Sequence, residues 1–174
     1  MSKLTRVESP EQILETVRLA RETWTQHYVP IIGQAQVDYM LDKFQSEAAV
    51  TKQIADGYEY YLLGRDGKSV GYTAIVPDAE QSTLMISKLY VKKCARGQGF
   101  GRKMLEFAEG VARQRRLKTL WLTVNKNNAN SIACYVRMGF RNVASIVQDI
   151  GGGYVMDDYR MEKTIGQEEG DGER

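Results

Sequence analysis

The residues that hold metals and form disulfide frameworks are scarce in this sequence. Its 174 residues include one histidine, His27, and two cysteines, Cys94 and Cys134. So few ligands do not make a zinc site, and we expect no bound metal. A single histidine argues against a Ser-His-Asp triad, and two cysteines cannot form a disulfide framework. The cysteine usage favours a reducing compartment, the cytoplasm.

Long apolar runs and a strong net charge are also missing. No stretch of about 18 apolar residues occurs, so no membrane span is expected, and the first residues lack the apolar core of a signal peptide. The 24 Lys and Arg residues nearly balance 22 Asp and Glu residues, which argues against a surface devoted to nucleic acid. What is present, 43% hydrophobic and 26% charged residues, is typical of a globular domain.

Hydrophobic periodicity and turn residues predict one domain in which helices and strands are mixed. Helices are predicted from Pro10 to about His27, from Gln36 to Phe44, onward to Ile54, after the turn at 96–101, and from Asn128 to Arg137. Strands are predicted at 58–63, 70–76, 83–91, 117–124, 140–147 and 154–163, with a weaker candidate at 3–8. This order indicates an α/β (α+β) domain over 1–165. Residues 166–174, which include four acids, are expected to form a flexible tail.

The stretch from Arg96 to Arg102 is the most informative in the chain. It follows a predicted strand, begins a helix and contains three glycines, so backbone N–H groups can converge there on a phosphate. From Lys88 to Lys118 there are ten basic residues and only two acidic ones, which concentrates cationic charge near the turn. The spacing matches neither the dinucleotide fingerprint nor the P-loop. The same glycines would also suit a tight connection that binds nothing.

Four short motifs stand at informative spacing between Ser82 and Phe140. They are Leu89-Tyr90-Val91, Arg96-x-x-Gly99-x-Gly101, Asn128, and Tyr135-x-x-x-Gly139-Phe140. Together they resemble the GCN5-related N-acetyltransferase (GNAT) family. The resemblance implies a single domain with a mixed, mostly antiparallel central sheet flanked by helices. It also implies a splayed pair of strands that forms the cleft for the cosubstrate, acetyl-CoA.

The resemblance gives each motif a role in binding acetyl-CoA. Backbone N–H groups of the turn would hold the pyrophosphate, which assigns Arg96, Gly97, Gln98, Gly99, Phe100, Gly101 and Arg102. Backbone groups of Leu89-Tyr90-Val91 would pair with the pantetheine arm and the acetyl carbonyl, where an N–H stabilises the oxyanion. Asn128 would fasten the pantetheine arm. Tyr135 would protonate the leaving thiolate, although taken alone it could be a packing tyrosine.

The base that takes a proton from the acceptor amine is left open by the motifs. GNAT enzymes often use a glutamate near the end of the strand before the turn, where this sequence has Ser87-Lys88. An amine must lose a proton before it attacks the thioester directly in a ternary complex. The candidates for this base are Glu59, His27, Asp157 and Asp158.

The resemblance to the GNAT family implies that the acceptor binds between the first two helices and the loop that joins the last two strands. The candidate acceptor residues are Trp24, His27, Tyr28, Glu59 and Asp157. Aromatic rings and carboxylates suit a cationic primary amine. Scattered positions, including Trp24-x₃-Tyr28 and Asp158-Tyr159-x-Met161, resemble the PaiA-type polyamine acetyltransferases, so spermidine or spermine is the first expectation. A protein N-terminus, a lysine or an amine antibiotic is the alternative acceptor.

Two other classes of function compete with an acetyltransferase. A non-catalytic acyl-CoA sensor would keep the turn, and the missing glutamate before Leu89 favours it. Nucleic-acid binding through the basic cluster from Arg113 to Lys118 is disfavoured by the balanced total charge. We therefore expect small-molecule partners, no nucleic acid and no membrane, with a homodimer possible by family analogy only.

Overall fold

Five α-helices and seven strands follow one another in the computed structural model, which describes residues 1–166. The strands are β1 (Ser2–Arg6), β2 (Glu59–Arg65), β3 (Lys68–Asp78), β4 (Thr83–Val91), β5 (Thr119–Asn125), β6 (Arg141–Gly151) and β7 (Tyr154–Thr164). The helices are α1 (Pro10–Ile32), α2 (Gln34–Phe44), α3 (Glu47–Ala55), α4 (Phe100–Gln114) and α5 (Ala129–Arg137). Beyond Gly166, the predicted tail lies outside the described residues. None of the described helices is both long and apolar enough to cross a membrane.

The seven strands form one sheet in the order β1-β2-β3-β4-β5-β7-β6. Neighbouring strands are antiparallel except β4 and β5, which run parallel. The predicted mixed, mostly antiparallel sheet is therefore confirmed. The parallel strands pair only from Thr83 opposite Thr119 to Met85 opposite Trp121. Beyond these residues β4 and β5 separate, and a gap opens between them.

A β-bulge in β4 lies where the gap begins. Ala74 of β3 faces Lys88, whereas the next residue, Ile75, faces Ile86, so Ser87 is left without a partner on β3. An extra residue of this kind bends its strand and increases the local twist. The bulge therefore accounts for the divergence of β4 from β5.

Helices cover both faces of the sheet because the side chains of each strand alternate in direction. On β2, Tyr60 and Leu62 pack with α1, α2 and α3, whereas Tyr61 and Leu63 pack on the side of α4. Helix α5 lies on the α4 side, where Tyr135 packs against the same core. The two apolar layers hold the strands, and with them the two edges of the gap.

Helix α1 extends further than the sequence predicts. Ser9 and Gln12 form a capping box at its start, in which the Ser9 hydroxyl accepts a hydrogen bond from the Gln12 N–H at 3.2 Å. The predicted end near His27 is wrong, because the helix continues through Pro30 until Gly33, whose φ of 85° ends it. A proline in the last turn removes only one backbone hydrogen bond and can be tolerated there. His27 therefore lies within the helix and does not cap its C-terminus.

Candidate active site

Two cavities meet at the gap between β4 and β5. The first, of about 370 Å³, is lined by the glycine-rich turn, β4, β5, α5 and two residues of α1, and is called the turn cavity. The second, of about 260 Å³, is lined mainly by α1, α2 and strands β4 to β7, and is called the helix cavity. Tyr28, Ser87, Tyr90 and Thr123 line both cavities. Ligands in the two cavities can therefore meet at these four residues.

The glycine-rich turn forms one wall of the turn cavity. Gly97 and Gly99 have φ values of 76° and 81°, which favour glycine, and no atom of residues 1–166 lies within 4 Å of where their side chains would begin. Gly99 is the N-cap of α4, and no side chain in the described part of the chain caps this helix. The first backbone N–H groups of α4 are therefore open to an anion, and the helix dipole adds positive potential there.

Six of the seven predicted turn residues line this cavity, and one does not. The lining residues are Arg96, Gly97, Gly99, Phe100, Gly101 and Arg102. The side chain of the exposed Gln98 instead accepts a hydrogen bond from the Arg65 guanidinium. The guanidinium of Arg96 donates to the Val91 carbonyl at 3.1 Å, which ties the turn to the end of β4.

The free edge of β4 forms another wall of the turn cavity. The predicted residues Leu89, Tyr90 and Val91 all line it, and they belong to the part of β4 that no longer pairs with β5. On its other edge β4 is packed very closely against β3. A side chain at Gly71 would begin 2.5 Å from the Tyr90 carbonyl oxygen. Only glycine allows this approach, which fixes β4 beside the turn.

Asn128 and His27 are hydrogen-bonded to each other in the turn cavity. Asn128 is the N-cap of α5, and its Oδ1 accepts from the Ser131 N–H at 3.3 Å. Its Nδ2 donates to Nε2 of His27 at 2.7 Å, so His27 is a neutral acceptor on that nitrogen. Burial, helped by nearby Arg96, lowers the pKa of His27 and favours this neutral form. The structure thus places His27 beside the predicted coenzyme residues, whereas the sequence assigned it to the acceptor.

Tyr135 of α5 lines the turn cavity as well. Its ring packs edge-on against Phe140, with centroids 5.8 Å apart. No hydrogen bond within residues 1–166 engages its hydroxyl. Burial raises the pKa of Tyr135, so the phenol keeps its proton at neutral pH. A protonated, unengaged phenol at this position can act as a proton donor.

Aromatic rings form the wall between the two cavities. Trp24 is buried, and its Nε1 donates to the Tyr72 hydroxyl at 2.8 Å. The hydroxyls of Tyr28 and Tyr90 are hydrogen-bonded at 2.8 Å where the cavities meet. Burial raises the pKa of Tyr28 to about 12, so it is uncharged at neutral pH. The structure brings the predicted acceptor residues Trp24 and Tyr28 to the helix cavity.

Two predicted acceptor residues line neither cavity. Glu59 is 6% exposed and is bound in two hydrogen bonds of 2.5 and 2.8 Å by the Arg115 guanidinium, which lowers the pKa of the carboxyl. Arg6 adds a second ion pair at 3.3 Å. Asp157 has a side chain that is 55% exposed and pairs with Lys126 at 2.7 Å. Both carboxylates are engaged away from the gap, so the structure does not bring them to the site.

Asp158 and Lys88 are the charged side chains that line the helix cavity. Asp158 is 6% exposed and takes part in no ion pair within residues 1–166. Burial, with repulsion from Asp157, raises its pKa to about 6. The Lys88 ammonium donates to the Ser87 hydroxyl at 2.6 Å, and burial lowers its pKa to about 8. The helix cavity is therefore lined by one carboxyl group and one amino group, and both are partly shielded from solvent.

The family of this chain follows from its match to the model of a known protein family. The model of the acetyltransferase (GNAT) family matches residues 17–140, which include the turn, Asn128 and Tyr135. The chain belongs to the GNAT family. The predicted family membership is thus confirmed.

Several named relatives are similar to this GNAT chain over part or most of its length. Streptothricin acetyltransferase of Streptomyces lavendulae is 37% identical over 86 residues, 49% of this chain and 46% of that enzyme. The chain thus spans about half the length of this relative. The ribosomal protein bS18-alanine N-acetyltransferase of Escherichia coli is 31% identical over 101 residues, 58% of this chain and 66% of that enzyme. PaiA N-acetyltransferase of Thermoplasma acidophilum, solved with coenzyme A, shares the fold, with a TM-score of 0.79 over 94% of this chain and 99% of its own at 20% identity.

Two residues that line the helix cavity, Asp158 and Lys88, are not singled out by the sequence. Asp158 was only one of four candidate bases, and Lys88 had no role beyond standing in the region where the family often has a glutamate. A signal for Asp158 exists, because Tyr154, Met156 and Asp158 alternate along β7 and share one face. Nothing in the sequence signals that Lys88 would follow a bulge and line the cavity.

Proposed function

We propose that this protein transfers an acetyl group from acetyl-CoA to a primary amine. The observation that carries the proposal is the meeting of two cavities at the gap between β4 and β5. The turn cavity offers an unengaged phenol, Tyr135, and the helix cavity offers a buried carboxylate, Asp158. A proton donor on one side and a proton acceptor on the other are what an acyl transfer from thioester to amine requires.

Acetyl-CoA occupies the turn cavity in this proposal. The N–H groups at the start of α4 bind the pyrophosphate, and Arg96 adds positive charge beside them. The unpaired edge of β4 at Leu89 and Val91 offers backbone groups to the pantetheine arm and the acetyl carbonyl. Asn128, held by His27 at 2.7 Å, supports the arm from α5.

The reaction proceeds by direct attack of the amine. Asp158 takes a proton from the ammonium group of the acceptor, and the free amine attacks the thioester carbonyl carbon. A backbone N–H of β4 stabilises the oxyanion that forms. Collapse of this intermediate breaks the carbon–sulfur bond, and Tyr135 gives its proton to the departing thiolate. The attacking nitrogen loses its second proton, which restores the Tyr135 phenol, and Asp158 releases the first proton to solvent. The products are the N-acetylated amine and coenzyme A.

The side chains of the helix cavity bear on the class of acceptor. Aromatic walls and Asp158 support a cationic amine, which includes the polyamine expected from the sequence. Lys88 places a second positive charge in the same cavity, and this opposes a long polycation. The named relatives act on acceptors as different as streptothricin and an alanine of ribosomal protein bS18, so the family relation supports an amine without selecting one.

A non-catalytic acyl-CoA sensor is the second candidate. It is supported by the position of Ser87-Lys88, where the family often has a glutamate. The buried Asp158 can replace that glutamate as the base, and this favours the enzyme over the sensor.

A thiol-release assay with saturating acetyl-CoA and a panel of amines separates the two candidates. The panel contains spermidine, free amino acids, their amides and a peptide with a free N-terminus. We expect release above the background hydrolysis rate with at least one amine class. Calorimetry measures binding of coenzyme A in parallel. Coenzyme binding with no release for any amine would replace the transferase by the sensor.

A further inference from the structure

We infer that the amine acceptor also carries a carboxylate, which Lys88 binds while Asp158 receives the amine. This inference rests on the proposed transferase function and names its substrate class, an amino acid or a similar amine with an acidic group. It follows from the way in which the two charges of the helix cavity are arranged.

Lys88 has no negatively charged partner within the described chain. Its ammonium donates to the Ser87 hydroxyl at 2.6 Å and lies 5.6 Å above the centre of the Tyr58 ring. Neither neighbour carries a formal charge. An ammonium group has three N–H donors, so the Ser87 hydroxyl leaves two for a ligand. Since Lys88 lines the helix cavity, these donors are available to an anion there.

Asp158 is the counterpart of Lys88 on β7. It is the one acidic residue that lines the helix cavity within residues 1–166. The neighbouring Asp157 uses Lys126 as its partner, so Asp158 has no cation partner among the residues that the structure describes. No oxygen of Asp158 lies within 4.0 Å of the Lys88 nitrogen, so the two charges do not neutralise each other. Both charges are therefore available to a ligand that binds in the helix cavity.

A ligand with both charges compensates two costs of burial at once. Burying a charge without a partner costs free energy, and an ion pair with a ligand offsets most of this cost. The pKa of Lys88 is about 8 and that of Asp158 about 6, so both are ionised between these values. A polyamine would satisfy Asp158 but would bring a further ammonium group toward Lys88, where the two cations repel. A cavity of about 260 Å³ suits a small amino acid.

The test compares free amino acids with their carboxamides at saturating acetyl-CoA. For the best acceptor pair, we expect wild-type kcat/KM to be about 10- to 100-fold higher with the acid than with the amide, as for a hydrogen bond to a charged group. Lys88→Met should abolish this ratio mainly by raising KM for the acid, and Lys88→Arg should restore part of it. Comparing ratios between proteins cancels the difference in amine basicity within each pair.

Lys126→Met is the matched control, because Lys126 pairs with Asp157 and lines neither cavity. It should keep the wild-type ratio. Coenzyme affinity and thermal unfolding show that each variant is folded, and Lys88→Gln replaces Lys88→Met if the latter is not. Equal rates for acids and amides, or a preference for spermidine, with no effect of Lys88→Met would overturn this inference and leave the transferase intact. Absence of thiol release with every amine, despite coenzyme binding, would overturn both.

Discussion

The tyrosines of the turn cavity differ in what their hydroxyls bind. Tyr28, Tyr90 and Tyr135 all line it. The first two hydroxyls are hydrogen-bonded to each other at 2.8 Å, whereas that of Tyr135 has no partner in the described part of the chain. Tyr135 alone is therefore ready to give its proton to a leaving thiolate without first breaking a bond.

Tyr135→Phe is expected to lower kcat by about 100-fold, the usual contribution of a positioned proton donor. Coenzyme affinity should stay unchanged, because the ring still packs against Phe140. Thiol release at saturating substrates and calorimetry with coenzyme A measure the two quantities. Tyr159→Phe is the control, since Tyr159 lines neither cavity, and it should keep the wild-type kcat. A Tyr135→Phe enzyme as fast as wild type across the pH range would remove the donor role.

The pH dependence of activity should report the ionisation of Asp158. The base must be deprotonated, so kcat/KM is expected to rise with pH through about 6 and to fall away below it. Asp158→Asn should lower kcat/KM and remove this acidic limb. The profile is measured as the rate of thiol release between pH 5 and pH 8. This range extends about one pH unit or more on either side of the expected limb.

Asp157→Asn is the matched control for this profile, because Asp157 is adjacent in sequence but paired with Lys126 outside the cavity. It should keep an acidic limb, moved to somewhat lower pH because the repulsion from Asp157 that helps to raise the Asp158 pKa is lost. Persistence of the limb in Asp158→Asn would assign it to another group, and His27 would be tested next.

Side chains were predictable where a short motif fixes their surroundings. The turn glycines, Asn128 and Tyr135 sit at family spacing, and the structure brings them to one cavity. Glu59 was not predictable, because its partner Arg115 lies 56 residues away and no local pattern reveals the ion pair. Asp157 and Asp158 are adjacent in the sequence and lie on opposite faces of β7. Knowing which of the two lines the cavity requires the strand register.

At the scale of elements, the start of α4 depends on a glycine with positive φ. Gly99→Val places a branched side chain in front of the open N–H groups and strains the backbone at φ 81°. We expect the Kd for coenzyme A to rise about 10- to 100-fold, as for loss of charge-assisted hydrogen bonds. Calorimetry with coenzyme A measures this change.

Gly67→Val controls for the strain itself. Gly67 has a φ of 77° and open space around it, but it lies in the β2–β3 turn and lines neither cavity. Thermal unfolding should show a similar loss of stability in both variants, while only Gly99→Val loses coenzyme affinity. Unchanged affinity in a folded Gly99→Val protein would show that the turn does not hold the coenzyme.

The elements themselves were largely predictable, whereas their irregularities were not. Periodicity indicates α1 and its start at Pro10, because this signal is local. The bulge at Ser87 depends on how β3 and β4 pair, and the continuation of α1 through Pro30 depends on tolerance of one lost hydrogen bond. Both irregularities shape the site, since one bends β4 and the other keeps His27 within a helix.

At the scale of the whole molecule, neither cavity belongs to one element. The turn cavity is lined by residues of α1, β4, α4, β5 and α5. The helix cavity is lined by residues of α1, α2 and α3 and of the four strands β4 to β7. Only the strand order brings these parts together, which is why the family resemblance predicted the cleft and composition did not. The predicted homodimer stays a prediction; β6 is an edge strand with exposed Val143 and Val147.

Because the two cavities meet at the gap, both substrates can be bound at once. We therefore expect a ternary complex and intersecting lines in double-reciprocal plots when acetyl-CoA and amine concentrations are varied together. Direct attack by the amine needs no acetylated enzyme, so incubation with acetyl-CoA alone should leave the intact mass of the protein unchanged. Parallel lines together with an acetyl adduct would instead show a two-step transfer through the protein. Cys134, which lines the turn cavity, would then be the first residue to search for the adduct, because sulfur is the strongest nucleophile among the side chains that line it.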